Sequence, residues 1–275
     1  MILFVFEGAK CEPQIFDTLS SLFFEGRKDD IICCYNSNIY SLYNVIKRDY
    51  SDFENEVKDG FDLVPILVER KRNDDDNPFA AIKNFSEIEA IYLFFDYDYQ
   101  QVFRCLKEDP SLDLEDLLRA QNEKLKKLIE FFDNETNTGK LYINYPMVES
   151  VYYTRELPDA NFTSYTTTLE TCKNHCFKRE CENFTFYKGH SKLIKEKENN
   201  VTEELRKNWL LIKEQHVKKA NYICTNATEI PKDKSVVSQQ CIFANQLDKY
   251  VNADSEHRVA ILSAFPMFLF EYFKQ

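Results

Sequence analysis

Glycine is scarce in this chain, five in 275 residues, and there are only four histidines and one tryptophan. So few glycines argue against a sandwich with many tight turns and against Gly-rich phosphate loops. No G-x-x-x-x-G-K-[ST] run occurs, which excludes ATP hydrolysis through a P-loop. No G-x-S-x-G elbow occurs either, so nothing points to a serine hydrolase. No window of about eighteen uninterrupted apolar residues exists, and no membrane span is expected. The apolar start, MILFVFEG, lacks a basic leader and a small-residue cleavage site, so it reads as a first buried strand rather than a signal peptide. Positive charge is short as well. Lys and Arg number 35 against 46 Asp and Glu, a net charge of −11. A free-standing nonspecific binder of nucleic acid is usually basic. Binding a polyanion would therefore need metal ions, a local basic patch or a basic partner.

What is present is a core. Hydrophobic residues make up 44% and aromatic residues 15% of the chain, enough to exclude a disordered tail. The nine cysteines, an odd count without a secretion leader, are expected as reduced thiols in a cytoplasm. Apolar runs alternate with segments of helical spacing. Residues 1–6, Ile31 to Tyr35, Phe61 to Glu69 (FDLVPILVE), Ile91 to Phe95 and Leu141 to Tyr145 read as strands. Segments from Pro13 to Phe24, Ile39 to Ile46 and Leu114 to Phe132 read as helices, and RKRNDDDN (70–77) as a loop. This order predicts an α/β fold, a mostly parallel sheet with helices on both faces. Beyond about residue 155 long helical stretches dominate: 168–177, 188–199, 201–223 and 236–273 with breaks. The expected division is a catalytic domain over 1–155 and a mainly helical C-terminal region over 156–275.

Carboxylates stand at the ends of these apolar runs. Glu7 closes ILFVFE, Asp96 and Asp98 close IYLFFDYD, and Glu149 follows LYINYPMVE. In an open parallel sheet, ligands bind beyond the carboxyl ends of the strands. Acids at that edge are costly unless used, and a divalent metal is a common user. Asp96 and Asp98 alternate by two and can face one way in an extended chain.

These motifs resemble a known family. FVFEGAKCEPQIFDTL is similar to the opening of TOPRIM domains in the OLD-nuclease and RloB-like branches: a strand, Glu-Gly, a short turn, then a helix. Lys10 and Glu12 match that turn, with Cys11 in place of the usual Thr. IYLFFDYD resembles the TOPRIM strand ending in Asp-x-Asp, and INYPMVES a later segment in which Glu149 matches a glutamate. The resemblance covers residues 1 to about 153. It implies a Mg²⁺ (or Mn²⁺) site with Glu7, Asp96 and Asp98 as ligands, Glu7 also serving as acid or base. It implies Glu149 as a further acidic residue of the site and Lys10 as a contact to the scissile phosphate. The chain lacks gate domains, a primase zinc module and a fused ATPase. It therefore looks most like stand-alone TOPRIM nuclease effectors of bacterial antiphage systems, of the PARIS type, which cut nucleic acid (RNA, including tRNA, or DNA) under control of a separate ABC-type ATPase. Such a toxic effector would act in the cytoplasm and could form a homo-oligomer. A non-catalytic interaction protein of the same fold, or a phosphohydrolase acting on small nucleotides, remains open.

Three further features need an account. CKNHCFKREC holds Cys172, His175, Cys176 and Cys181, with His190 nearby; the spacing is not that of a standard zinc ribbon, and thiols on a helix are the simpler expectation. From Lys188 to Lys219 cations outnumber acids, so Lys192, Lys195 and Lys197 are candidate contacts to a polynucleotide backbone, or a solvated helix face. ILSAFPMFLFEYF (261–273) is expected in the core.

Overall fold

The computed structural model describes residues 1–24, 30–55, 58–97, 99–136, 138–173, 176–184, 186, 192–195 and 202–273. The chain divides into two compact units, each built from separate pieces of sequence. The first is Met1–Pro13, Gly26–Phe95 and Asp113–Leu141; the second is Gln14–Glu25, Asp96–Leu112 and Tyr142–Gln275. The fold is α/β, with a mostly parallel sheet flanked by helices and a mainly helical C-terminal region.

The sheet contains β1 (Ile2–Phe6), β2 (Ile31–Cys34), β3 (Ala90–Asp96), β4 (Asp133–Asn134) and β5 (Gly139–Asn144), in the order β2-β1-β3-β5-β4. All five residues of β1 are apolar and buried. Such continuous runs suit a parallel strand covered on both faces. It pairs in parallel with β2 (Leu3 opposite Ile31, Phe6 opposite Cys34) and with β3 (Ile2 opposite Ala90, Phe6 opposite Phe94). β4 is a short antiparallel edge, Asp133 facing Lys140. At the start of β5, Gly139 has φ +105°, and a Cβ there would stand 2.8 Å from Leu93 Cδ1. Only glycine meets both demands without strain.

Helices of the first unit follow their caps. In α2 (Ile39–Asp49) the Asn38 side chain accepts from Ser41 N, and in α5 (Leu114–Phe131) Asp113 accepts from Asp116 N. Each satisfies an orphan amide of a first turn. α5 buries Leu118, Leu125, Leu128 and Ile129, the three- and four-residue spacing of an amphipathic helix, and packs against α2.

One expected strand is wrong. FDLVPILVE forms α3 (Leu63–Lys71) instead, capped by Asp62, whose Oδ1 accepts from Val64 N at 2.9 Å. Pro65 falls in the first turn of this helix, where its missing N–H costs nothing, whereas in a central strand it would have broken the ladder. Leu63, Val64 and Leu67 are its buried face.

α1 (Cys11–Phe23) starts in the first unit and continues in the second. The second unit adds α4 (Gln100–Glu108), α6 (Leu169–Cys172), α7 (Cys176–Cys181), α8 (Glu203–Thr225), α9 (Gln239–Gln246) and α10 (Ala264–Tyr272). It also holds a two-stranded antiparallel ribbon of β6 (Thr166–Thr167) and β7 (Val259–Ala260). α4 has no counterpart in the sequence-based expectation. The helix expected over 168–177 is two short ones, α6 and α7. The helix expected over 188–199 lies mostly outside the described residues, and its described part, 192–195, is not α-helix.

The core of this unit is α8 against α10. Trp209 is fully buried and donates its indole N–H to Leu193 O at 2.7 Å. Ala264 through Phe270 are all buried, so the aromatic C-terminal stretch is core, as expected. Phe268 stacks on Phe24 with centroids 6.0 Å apart. Each such phenylalanine contributes about 2–3 kcal/mol through burial. No helix among the described residues is long and apolar enough to cross a membrane.

Candidate functional site

In the first unit the carboxyl end of the sheet is built around the β1 exit. Glu7 continues the pairing of β1 by one residue on both sides. Its N–H donates to Phe94 O at 3.1 Å, and its carbonyl accepts from Asn36 N at 2.8 Å. The backbone of Glu7 is thus fixed between the two neighbouring strands. Asn36 takes a left-handed conformation, φ +57°, which asparagine tolerates better than most residues.

The next turn is organised by Glu12. This carboxylate is buried, and its Oε1 accepts from Gly8 N at 3.0 Å. A Cβ on residue 8 would come within 3.1 Å of Glu12 Oε2, so a larger residue there would crowd that carboxylate. Lys10 is exposed on the same turn. Across from it, burial pushes the Cys34 thiol up, Lys71 opposes this, and the Glu12 charge adds to it. Burial pushes Cys33 up to about 12, so neither thiol of this pair is a thiolate nucleophile near neutral pH.

The last turn of α3 delivers two cations to this edge. Lys71 is buried and pairs with Asp74 at 2.7 Å. Arg70 donates from Nε to Tyr35 O at 2.9 Å, and its guanidinium carbon lies 4.0 Å from the centroid of the Tyr35 ring. Sequence reasoning assigned residue 70 to a charged loop and missed it. The readable signal was Asp62 followed by Pro65, a helix start that places Arg70 and Lys71 in a last turn.

The other expected acids belong to the second unit. Asp96 ends β3, and its Oδ1 accepts from Asn144 Nδ2 at 3.0 Å. Asn144 is fully buried, and its Oδ1 accepts from Ala264 N at 2.8 Å and from Ser263 Oγ at 3.2 Å. One amide therefore ties Asp96 to the start of α10. Asp98 lies outside the described residues. Glu149 is buried in a 3-10 turn (Val148–Tyr152), and its Oε1 pairs with Lys178 Nζ at 3.0 Å. Among the described residues no group of three or more His, Cys, Asp or Glu side chains is placed to hold a metal ion.

Several of the remaining candidates have structural roles. Lys195 Nζ meets Asp17 at 2.8 Å and Ser21 Oγ at 2.8 Å, with only 10% of its side chain exposed. It is committed inside the unit and is not an open contact for a polyanion. Lys192 is exposed, with its Nζ 5.7 Å from the Phe186 ring centroid; Lys197 lies outside the described residues. Lys219 is fully buried and donates to Phe162 O at 3.0 Å and to Tyr165 O. Of the cysteine tract, Cys172 and Cys181 are buried, while Cys176 Sγ accepts from Arg179 at 3.0 Å. His175 and His190 lie outside the described residues. Among the described residues no disulfide joins any of the nine cysteines.

His216 is fully buried. Its Nδ1 accepts from Ser263 N at 3.1 Å, which puts the proton on Nε2. Among the described residues Nε2 itself has no hydrogen-bond partner. Burial, and then the Lys219 charge, hold this imidazole well below its usual range. No family profile, curated protein or solved structure matches this chain.

Proposed function

We infer that this chain is a metal-dependent nuclease that cleaves phosphodiesters of RNA or DNA as a toxic effector of antiphage defence, held in check by a partner ATPase. The observation that carries the reading is the exit of β1: an acid, Glu7, whose backbone is locked between two parallel neighbours at the carboxyl edge of an α/β sheet. That edge is where open sheets bind ligands. Glu7 would move the proton at the attacking water or the leaving oxygen, and Lys10, exposed on the following turn, would meet a phosphate as a point charge. Asp96 and Asp98 are the proposed ligands for Mg²⁺ or Mn²⁺. When bound, such an ion supplies an activated water and neutralises charge on the leaving oxygen. Glu149, engaged by Lys178, fits a supporting role better than a ligand role.

The same two pairings, Asp96 with Asn144 and Glu149 with Lys178, favour a second reading, a non-catalytic interaction protein that keeps the acids for structure. The test is cleavage of plasmid, single-stranded DNA and total tRNA with Mg²⁺ or Mn²⁺, comparing wild type with Glu7→Gln and Asp96→Asn. The nuclease reading expects cleavage by wild type, reduced about a hundredfold or more in Glu7→Gln. Equal activity of wild type and both variants, with melting temperatures unchanged, would end it.

A further inference from the structure

We propose that Arg70 is a phosphate-binding residue, the group that seats a backbone phosphate of a polynucleotide beside Glu7; this rests on the nuclease reading of the β1 exit. The placement is local and rigid. Tyr35 N donates to Phe6 O at 2.7 Å and Asn36 N to Glu7 O at 2.8 Å, so the residue that carries Arg70 directly neighbours the residue that pairs with Glu7. The guanidinium is held at two points, through Nε on Tyr35 O and through its face on the Tyr35 ring. The ring is itself immobile: Tyr35 is fully buried and packs edge-on against Phe95 with centroids 5.8 Å apart.

What is left over is the useful part. Nε is used, but the two terminal nitrogens make no hydrogen bond or ion pair with any described residue, and the side chain is exposed. A guanidinium fixed in plane with its terminal N–H groups open is the fork that recognises phosphate. Two of the neighbouring acids are already engaged. Asp74 is paired with Lys71 at 2.7 Å and Glu69 with Arg72 at 3.2 Å. A purely structural arginine would spend its terminal nitrogens on carbonyls or carboxylates, as Lys195 and Lys219 spend their ammonium groups. Stacking on an aromatic ring also lowers the entropy lost when the fork closes on an anion.

The experiment uses the full chain and measures equilibrium binding of fluorescein-labelled single-stranded RNA and DNA oligonucleotides, over a series of salt concentrations, in the Glu7→Gln background that prevents turnover. Arg70→Ala should weaken binding by about tenfold or more, the usual loss for a charge-assisted hydrogen bond. It should also reduce the slope of log affinity against log salt by roughly 0.7, the value of one phosphate contact on a single strand. Arg70→Lys keeps the charge and controls for folding; it should recover the salt slope and only part of the affinity, because the fork is lost. Thermal melts of each variant accompany the titrations. Binding and salt slope unchanged in a folded Arg70→Ala protein would overturn the assignment while leaving the nuclease reading intact. Binding that depends on Arg70, with no cleavage by wild type on any substrate, would support the assignment and remove the nuclease. No binding by the Glu7→Gln protein or by wild type would remove the assignment.

Discussion

The two units use their positive charge differently. In the first, Arg70 is anchored by one nitrogen and a ring face and keeps its terminal nitrogens open at the sheet edge. In the second, lysines are consumed from within. Lys195 is bound by Asp17 and Ser21, Lys178 neutralises Glu149, and Lys219 is buried on two carbonyls. Lys234 and Lys249 close helix ends, donating to Phe270 O at 2.6 Å and Ile223 O at 2.6 Å, where cations complement the helix dipole. A count of basic residues along a sequence therefore overstates what a polyanion can reach. Lys195 and Lys219 of the lysine-rich stretch are internal wiring, while one arginine in an acidic neighbourhood stays available.

The contrast can be broken most decisively at Lys219. Burial holds its ammonium well below the usual lysine range. With the folded value depressed, the unfolded chain binds more protons in the window between that value and about pH 10.5, so stability rises with pH there. Wild type should therefore grow more stable as pH rises on the alkaline side below about pH 10.5, as read by urea melts. Lys219→Met should flatten that rise. A wild-type curve that already matches the variant would mean that the ammonium reaches water, and the second unit would then not be the closed network described.

His216 sharpens the same point on the acid side. Its value is also depressed, so stability is full above about pH 6.5 and falls as pH drops below it. His216→Gln should remove that part of the acid sensitivity while carboxylate titration remains. Identical slopes for the two proteins between about pH 6.5 and 5.5 would contradict the buried, neutral imidazole.

The smallest effect is expected at Glu149. Lys178→Met leaves a buried carboxylate with a lost partner and should cost about 1–2 kcal/mol, discounted because the lysine is half exposed. Adding Glu149→Gln should restore most of that loss, a coupling visible in a double-mutant cycle. Additive losses would mean that the pair is not coupled, and Glu149 would return as a residue of the reactive edge.

What could be read in advance follows from how local each cause is. β1 was legible because five successive apolar residues leave no other reading. α5 and α8 were legible because their buried positions recur at helical spacing. α3 was not, because FDLVPILVE is equally apolar as a buried strand or a helix, and only the Asp62 cap with Pro65 separates the two. α4 escaped because a single residue of QQVFRCLKE, Val102, is buried. Glu7 and Asp96 could be picked out as acids at strand ends. The partners that decide what they do could not: Glu149 meets a lysine 29 residues away, and Asn144 reaches Asp96 across 48. Such pairings leave no periodic trace. Arg70 was hidden for the same reason, since its neighbour Tyr35 lies on another element.

Gly139 carries a consequence for how this chain can vary over time. The turn that precedes it is polar by composition, yet position 139 combines φ +105° with a side-chain wall at 2.8 Å. The first demand is met by few residues and the second by none with a Cβ. In a saturation scan position 139 should appear as a forbidden column. A lineage could not lose this glycine in one step, because the Leu93 side chain would have to give way first, and Leu93 sits in the centre of the sheet.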